Sequence, residues 1–310
     1  MAEFIINDDL EVRLDRFIRR ECFYLPQGII EKHLRLGQIQ VNGKKAKSSS
    51  RLKKGDVVMI SDNLRQSADV KDKSTKITNF SPAVISLAGK LLGEYLIIAN
   101  DHFIAINKPY GLATQGGSKI NISVDHALAY LNDTTGSHYR LVHRLDKDTS
   151  GVLVIAKDLN SCILLGDAFK TKELQKTYLA VALGCPSPKS GVVENYIDKE
   201  RNSVYDVVVE TSDGKLAKTI YETISQKGKA TVIKFTPLTG RMHQLRFHSK
   251  YLGCPILGDE KYGGKVFDRM MLHAIEMLIP ASVFGEEYVI KAPVDKFFEI
   301  YRTEEKTEVK

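Results

Sequence analysis

The apolar positions of this chain change period along its length, and the changes mark its elements. Leu14, Phe17 and Ile18 recur at helical spacing within Arg13–Arg20, with arginines between them, which predicts a short amphipathic helix. A second helix is predicted over Gln27–Leu36, where Ile29, Ile30 and Leu34 share a face and Gly37 follows as a C-cap. The period then falls to two. Ile39-Gln40-Val41 alternates into an Asn42-Gly43 turn, and Val57-Val58-Met59-Ile60 closes the module after Lys54-Gly55-Asp56. From 63 to 82 the pattern fails in a polar, charged stretch that reads as a flexible linker, braced by a short helix over 83–92. Beyond Tyr95 apolar runs predict strands at Phe103–Asn107, Val152–Lys157, Thr177–Leu183 and Ala230–Phe235. Helices are predicted over Leu159–Lys172, with Ile163, Leu164, Ala168 and Phe169 inward, and over Arg241–Tyr251. The irregular mixture predicts an α+β protein: a small α/β module, then a larger domain built on a mixed, mostly antiparallel sheet.

Composition narrows the class. At 310 residues there is room for two domains, and 43% hydrophobic with 27% charged residues suits a globular chain. No apolar run approaches the ~20 residues of a membrane span, and the start has neither a basic n-region nor a long apolar core. Cys22, Cys162, Cys185 and Cys254 are widely spaced, which suits reduced thiols and a cytoplasmic protein rather than a zinc ribbon. Dinucleotide, Walker A and HExxH patterns are absent, so local sequence supports neither a nucleotide cofactor nor zinc chemistry.

Charge changes the picture more. The formal net charge is +7, yet residues 11–54 hold twelve Lys/Arg against four Asp/Glu, so the remainder sums to −1. Such concentration points to a polyanion engaged first by the N-terminal module.

Candidate chemistry centres on His143-Arg144-Leu145-Asp146-Lys147-Asp148-Thr149-Ser150-Gly151, a tight segment that carries Asp146 beside Arg144 and runs into a strand. Three more stretches accompany it: Asn107-Lys108-Pro109-Tyr110-Gly111, Lys176-Thr177-Tyr178-Leu179-Ala180, and Thr239–His248 continuing through Leu257-Gly258-Asp259 to Tyr262-Gly263. Taken in chain order, the four resemble the RluA family of RNA pseudouridine synthases, over roughly residues 95–302. The Gly116-Gly117-Ser118 run and the N-terminal module make the chain most like the RluC branch, which modifies 23S rRNA. The N-terminal pattern itself resembles an S4 domain, an RNA-binding module, over about 11–62.

The resemblance implies an enzyme that isomerises uridines of 23S rRNA or its large-subunit precursor without a cofactor, working as a monomer away from membranes. It implies domains at 11–62 and 93–302, a linker at 63–92 and a charged tail at 303–310. By the same resemblance Asp146 is catalytic, Arg246 is its cationic partner, and Tyr178 stacks on the detached uracil. Arg144 grips or replaces the flipped nucleotide. His143, Arg241, His243, Gln244 and Lys108 are expected on the RNA side, Arg241 with the first amides of its helix suiting a phosphate. The chemistry fits: a carboxylate beside the anomeric carbon serves as nucleophile or as base, and both roles stay open. Two other readings remain, the same reaction on tRNA, and a non-catalytic S4-type RNA-binding or assembly protein. A glycoside hydrolase would need a second carboxyl partner, for which no candidate stands out.

Overall fold

The computed structural model describes residues 2–6, 12–18, 27–61, 80–117, 120–201, 206–294 and 298. The expected linker over 63–79 and the tail at 303–310 lie outside them. The chain divides into two compact units, Met1–Asn79 and Phe80–Lys310.

In the first unit β1 (Ala2–Ile5), β2 (Val12–Arg13), α1 (Leu14–Phe17), α2 (Gln27–Arg35), β3 (Ile39–Val41), β4 (Lys44–Lys45), β5 (Arg51–Leu52) and β6 (Val57–Ile60) follow one another. The order β1-β6-β3-β4 makes one antiparallel sheet, and β2 pairs with β5. The apolar spacing accounts for the core: Leu14, Phe17 and Ile18 from the first helical turn meet Ile30 and Leu34 of α2 and Ile39, Val58 and Ile60 of the strands. Each such side chain contributes roughly 1.5–3 kcal/mol when fully buried. Asn42 and Gly43 both take positive φ, as a two-residue turn with this dipeptide requires.

The second unit begins earlier than the sequence suggested. α3 (Pro82–Leu92), capped by the Ser81 hydroxyl, buries Val84, Leu87, Ala88 and Leu91 and packs on α4 (Val124–Thr135). Residues 82–92 therefore belong to the core of this unit and not to a linker. Its main sheet orders β13 (Asp206–Glu210), β12 (Ser190–Arg201), β14 (Lys215–Lys227), β15 (Ala230–Pro237), β11 (Gln175–Leu183), β16 (Leu272–Ile279), β10 (Ser150–Ala156), β8 (Phe103–Lys108) and β7 (Leu96–Ala99). β9 (Arg140–Leu141) joins β10, and β17 (Tyr288–Lys291) joins β16. Among the described residues every pairing in it is antiparallel except β10 with β16.

Strand β10 is buried at every position because both faces are covered. Leu153 and Ile155 point into the cluster under α3 and α4, while Val152, Val154 and Ala156 point into the one under α5 (Leu159–Thr171). The inward face of α5 differs from expectation: Leu165 and Ala168 are buried, but Ile163 and Leu164 are exposed. The Asp158 cap on Ser161 N–H sets the start of the helix and so fixes which residues turn inward. The helix expected from Arg241 starts only at Gln244 and runs to Tyr251 (α6), after His243 in a left-handed conformation.

Candidate active site

The segment carrying Asp146 crosses from β9 to β10 and is held from four sides. Thr114 donates its hydroxyl to the Leu145 carbonyl at 2.7 Å and accepts the Leu145 N–H at 3.2 Å. The Thr149 N–H closes a turn on the Asp146 carbonyl. His143 accepts the Val154 N–H on Nε2 at 2.9 Å and stacks on Phe169. Lys108 donates its ammonium to the carbonyls of Pro109, Leu112 and Lys147. The segment then passes into β10 through Gly151, whose φ is +111° and where a Cβ would lie 2.1 Å from the Ala274 carbonyl oxygen. Only glycine allows the parallel approach of β10 to β16 that fixes the loop's exit.

Asp146 opens into a cleft of about 1350 Å³. That exceeds the ~300–1,000 Å³ of a small-molecule pocket and suits part of a polymer. Seven cations line it, Arg144, Lys170, Lys172, Lys176, Lys218, Arg241 and Arg246, and Asp146 is the single carboxylate among the lining residues. Tyr178 lines the same cleft from β11, at a register shift between Thr177 and Tyr178. Burial first, and then the charge of Asp146, push its phenol above the ordinary range, so it stays protonated at neutral pH.

Arg246, on α6, comes within 4.0 Å of Asp146 Oδ2 through Nη1. Its main partner, however, is Asp259, which sequence reasoning did not single out. Arg246 donates Nε to Oδ2 of Asp259 at 2.7 Å and Nη2 to Oδ1 at 2.5 Å, a two-pronged pair that is almost wholly buried. Burial works against the guanidinium charge, but the bonds and charge of Asp259 outweigh it and keep its pKa raised. His243 places Nε2 3.8 Å from the same Oδ2 of Asp146. Its φ of +51° costs on the order of 1–2 kcal/mol for a residue with a Cβ.

The other expected RNA contacts fare differently. Lys108 is fully buried, and its three carbonyl acceptors use all its donors; burial lowers its pKa to about 7 against the opposing pull of Asp148 and Asp146. It clamps two loops and offers nothing to a ligand. Gln244 is likewise spent internally: it donates to the Lys218 carbonyl and Thr219 hydroxyl, and accepts from the Thr239 hydroxyl and Arg241 N–H. That last bond also removes the Arg241 amide as a phosphate ligand. Arg241 itself is exposed at the rim, with Nε on the Leu216 carbonyl. His143 is a strut, held neutral by burial and by Lys176, which lower its pKa to about 3. Arg144 is exposed at the cleft.

Comparison with known proteins decides the family. A family model described as RNA pseudouridylate synthase matches residues 102–251, and one described as S4 domain matches 12–58. A Rickettsia bellii protein named ribosomal large subunit pseudouridine synthase C is 46% identical over 94% of this chain and 98% of its own length. The chain belongs to the RNA pseudouridine synthases. The Escherichia coli protein of the same name is 31% identical over 94% of this chain and 92% of its own. Among solved structures, human RNA pseudouridylate synthase domain containing 4 aligns with a TM-score of 0.59 at 28% identity, covering 70% of this chain and 94% of that one. This synthase therefore carries an S4 domain ahead of its catalytic domain, as the apolar pattern and motifs implied.

Proposed function

We propose that this synthase isomerises specific uridines of the large-subunit ribosomal RNA, with Asp146 as the catalytic carboxylate. The observation that carries the reading is the cleft itself: one carboxylate inside a ring of seven cations, flanked by Tyr178. The cations suit a polyanion, and relatives named for the large ribosomal subunit span nearly the whole chain.

The reaction breaks the bond from N1 of uracil to C1′ of ribose and forms one from C5 to C1′. The C5 proton leaves and N1 ends protonated, so atoms balance with no change of redox state. A flipped uridine brings its sugar to Asp146, which acts at C1′ as nucleophile or at the sugar as base. Arg246 Nη1, 4.0 Å from Asp146 Oδ2, stands where it stabilises charge on that carboxylate. Tyr178, protonated, supplies a stacking face and a hydroxyl donor. Arg144 and Arg241 at the exposed rim suit flanking phosphates. The S4 domain anchors the RNA body.

Carbodiimide-dependent primer extension on rRNA and tRNA, from cells with and without the gene, tests the assignment. Loss of large-subunit sites, restored by the wild type and not by Asp146→Asn, is expected. Loss confined to tRNA would overturn the substrate, and restoration by Asp146→Asn would overturn the catalytic residue.

A further inference from the structure

Two donors approach one oxygen of Asp146, and neither touches it. His243 Nε2 lies 3.8 Å and Arg246 Nη1 4.0 Å from Oδ2, both beyond hydrogen-bond length. What holds each of them at that distance lies behind them, in the tight segment from Ile256 to Gly264.

The guanidinium cannot turn further toward Asp146, because Nε and Nη2 are both committed to Asp259. Asp259 cannot follow it. Its N–H and carbonyl are bound to Ile256 and Gly264, and Gly258, at φ +81°, presses so closely on the Arg269 carbonyl that a Cβ would sit 2.1 Å from its oxygen. The face of the guanidinium is covered by the ring of Tyr262, 5.0 Å from its centre.

Tyr262 also determines the state of His243. Its hydroxyl oxygen accepts the Val208 N–H at 2.8 Å, and an amide N–H can only donate. Among the described residues the hydroxyl's own proton then finds its acceptor in His243 Nδ1, 3.0 Å away; an Nδ1–H donating to the oxygen's second lone pair would leave that proton unpaired. With Nδ1 accepting, the proton of a neutral imidazole sits on Nε2 and faces Asp146. The charges facing the ring are Asp146, Asp259, Arg246 and Lys261; burial, Arg246 and Lys261 prevail over the carboxylates and keep the imidazole neutral.

We propose that Asp259 and Tyr262 are positioning residues for pseudouridine formation: Asp259 presents a single arm of Arg246 to Asp146, and Tyr262 fixes His243 as a neutral Nε2–H donor beside it. The proposal rests on Asp146 being the catalytic carboxylate. Asp146 then works between one cationic and one neutral donor, both held just out of contact, so that the carboxylate stays available for the sugar. A direct two-pronged pair with Arg246 would bury it in a salt bridge.

The test uses the full-length enzyme with ¹⁵N-labelled histidine, His243 being assigned by its loss in His243→Gln. Nitrogen shifts should show the Nε2-protonated tautomer in the wild type and a mixture in Tyr262→Phe, which keeps the ring over Arg246. The Nδ1-protonated form or an imidazolium in the wild type at pH 7.5 would overturn the assignment. Single-turnover tritium release from an rRNA fragment should fall roughly tenfold in Tyr262→Phe, the value of one positioning hydrogen bond, with RNA affinity unchanged. A merely structural tyrosine would lower the melting temperature and leave the rate of the folded enzyme alone. In a His243→Gln background, where the amide nitrogen replaces Nε2, Tyr262→Phe should cost nothing further; an undiminished tenfold loss there would overturn the coupling. Asp259→Asn should lower the rate at unchanged affinity, and wild-type turnover would overturn its role. A wild type that turns over tRNA but not the rRNA fragment would fault the substrate reading alone, and the same kinetics would then be run on tRNA.

Discussion

Two basic regions can be compared in this molecule, and they arise in opposite ways. The first is written into the sequence as a run: twelve Lys/Arg against four acids in residues 11–54, with Lys32, Arg35, Lys44, Lys45, Lys47, Arg51, Lys53 and Lys54 all exposed on the S4 unit. The second lies in a remainder that sums to −1, yet its cleft gathers seven cations around one carboxylate. Those seven come from the Asp146 loop, the end of α5 and the turn after it, β11, β14, the Arg241 turn and α6. Segment charge is therefore a poor guide to local field. Folding can build a positive site from a neutral stretch by sending its acids elsewhere, as Glu222 on Lys234 and Glu276 on Lys291 show.

The comparison assigns chemistry to the cleft and reach to the S4 unit, and the sharpest way to break it is to remove the cleft's single acid. Asp146→Asn should lower uridine isomerisation by ~10³-fold or more while leaving fold and RNA affinity near the wild type, since the side chain keeps its volume and loses only its charge. Substantial tritium release by the purified variant would sink the division of labour.

Next comes Arg246→Lys, which keeps the charge and loses the fork. One ammonium cannot hold both oxygens of Asp259 and face Asp146 as well. Single-turnover rate should drop by about 10²-fold, and stability should fall because a buried carboxylate loses its two-pronged partner. Unchanged thermal unfolding would show that the Asp259 pair contributes little.

Removing residues 1–79 tests the first region. The core of that unit contains only its own residues, and the second unit has cores of its own, so the remainder should fold. RNA affinity should fall by roughly 10–10²-fold with a shallower salt dependence. The slope should remain clearly negative, because the cleft still displaces counterions. A slope near zero would mean the cleft holds no phosphates. At the smaller end, Lys170→Gln in the full-length protein should reduce the salt slope by about 0.7–0.9, the share of one phosphate contact.

Smallest is an acid effect confined to the second unit. His143 and His248 are depressed by burial to about 3 and about 4, below their ordinary 6.5. Folding keeps them neutral, whereas the unfolded chain takes up protons below about 6.5, so their contribution to stability is lost as pH falls from there toward 4 and is constant above. Urea midpoints measured across that window should fall, and less steeply in His248→Gln. An equal slope in that variant would remove His248 from the account.

Much of this protein was legible in its sequence, for identifiable reasons. The helical spacing of Leu14, Phe17 and Ile18, and the alternation into Asn42-Gly43, are local properties, and they fold locally. The Asp146 segment was legible through its resemblance to a family signature, and the structure adds a physical reason for its closing glycine, since Gly151 must pass β16 at backbone distance. Where burial depended on partners far along the chain, the pattern misled: α5 turned Leu165 inward and left Ile163 outside, and 82–92 joined a core instead of a linker.

At the site, the sequence by itself determined which functional groups were present: Asp146, Tyr178, Arg246 and the histidine and arginines around them. Only the tertiary structure decided how they divide the work. It placed Asp259 on Arg246, committed Lys108 and Gln244 to internal carbonyls, and turned Arg144 and Arg241 outward. A side chain's type fixes its possible bonds, but which bonds form depends on the groups that the fold brings within about 3 Å, as Lys147 meets Lys108 across 39 positions and Lys218 meets Gln244 across 26.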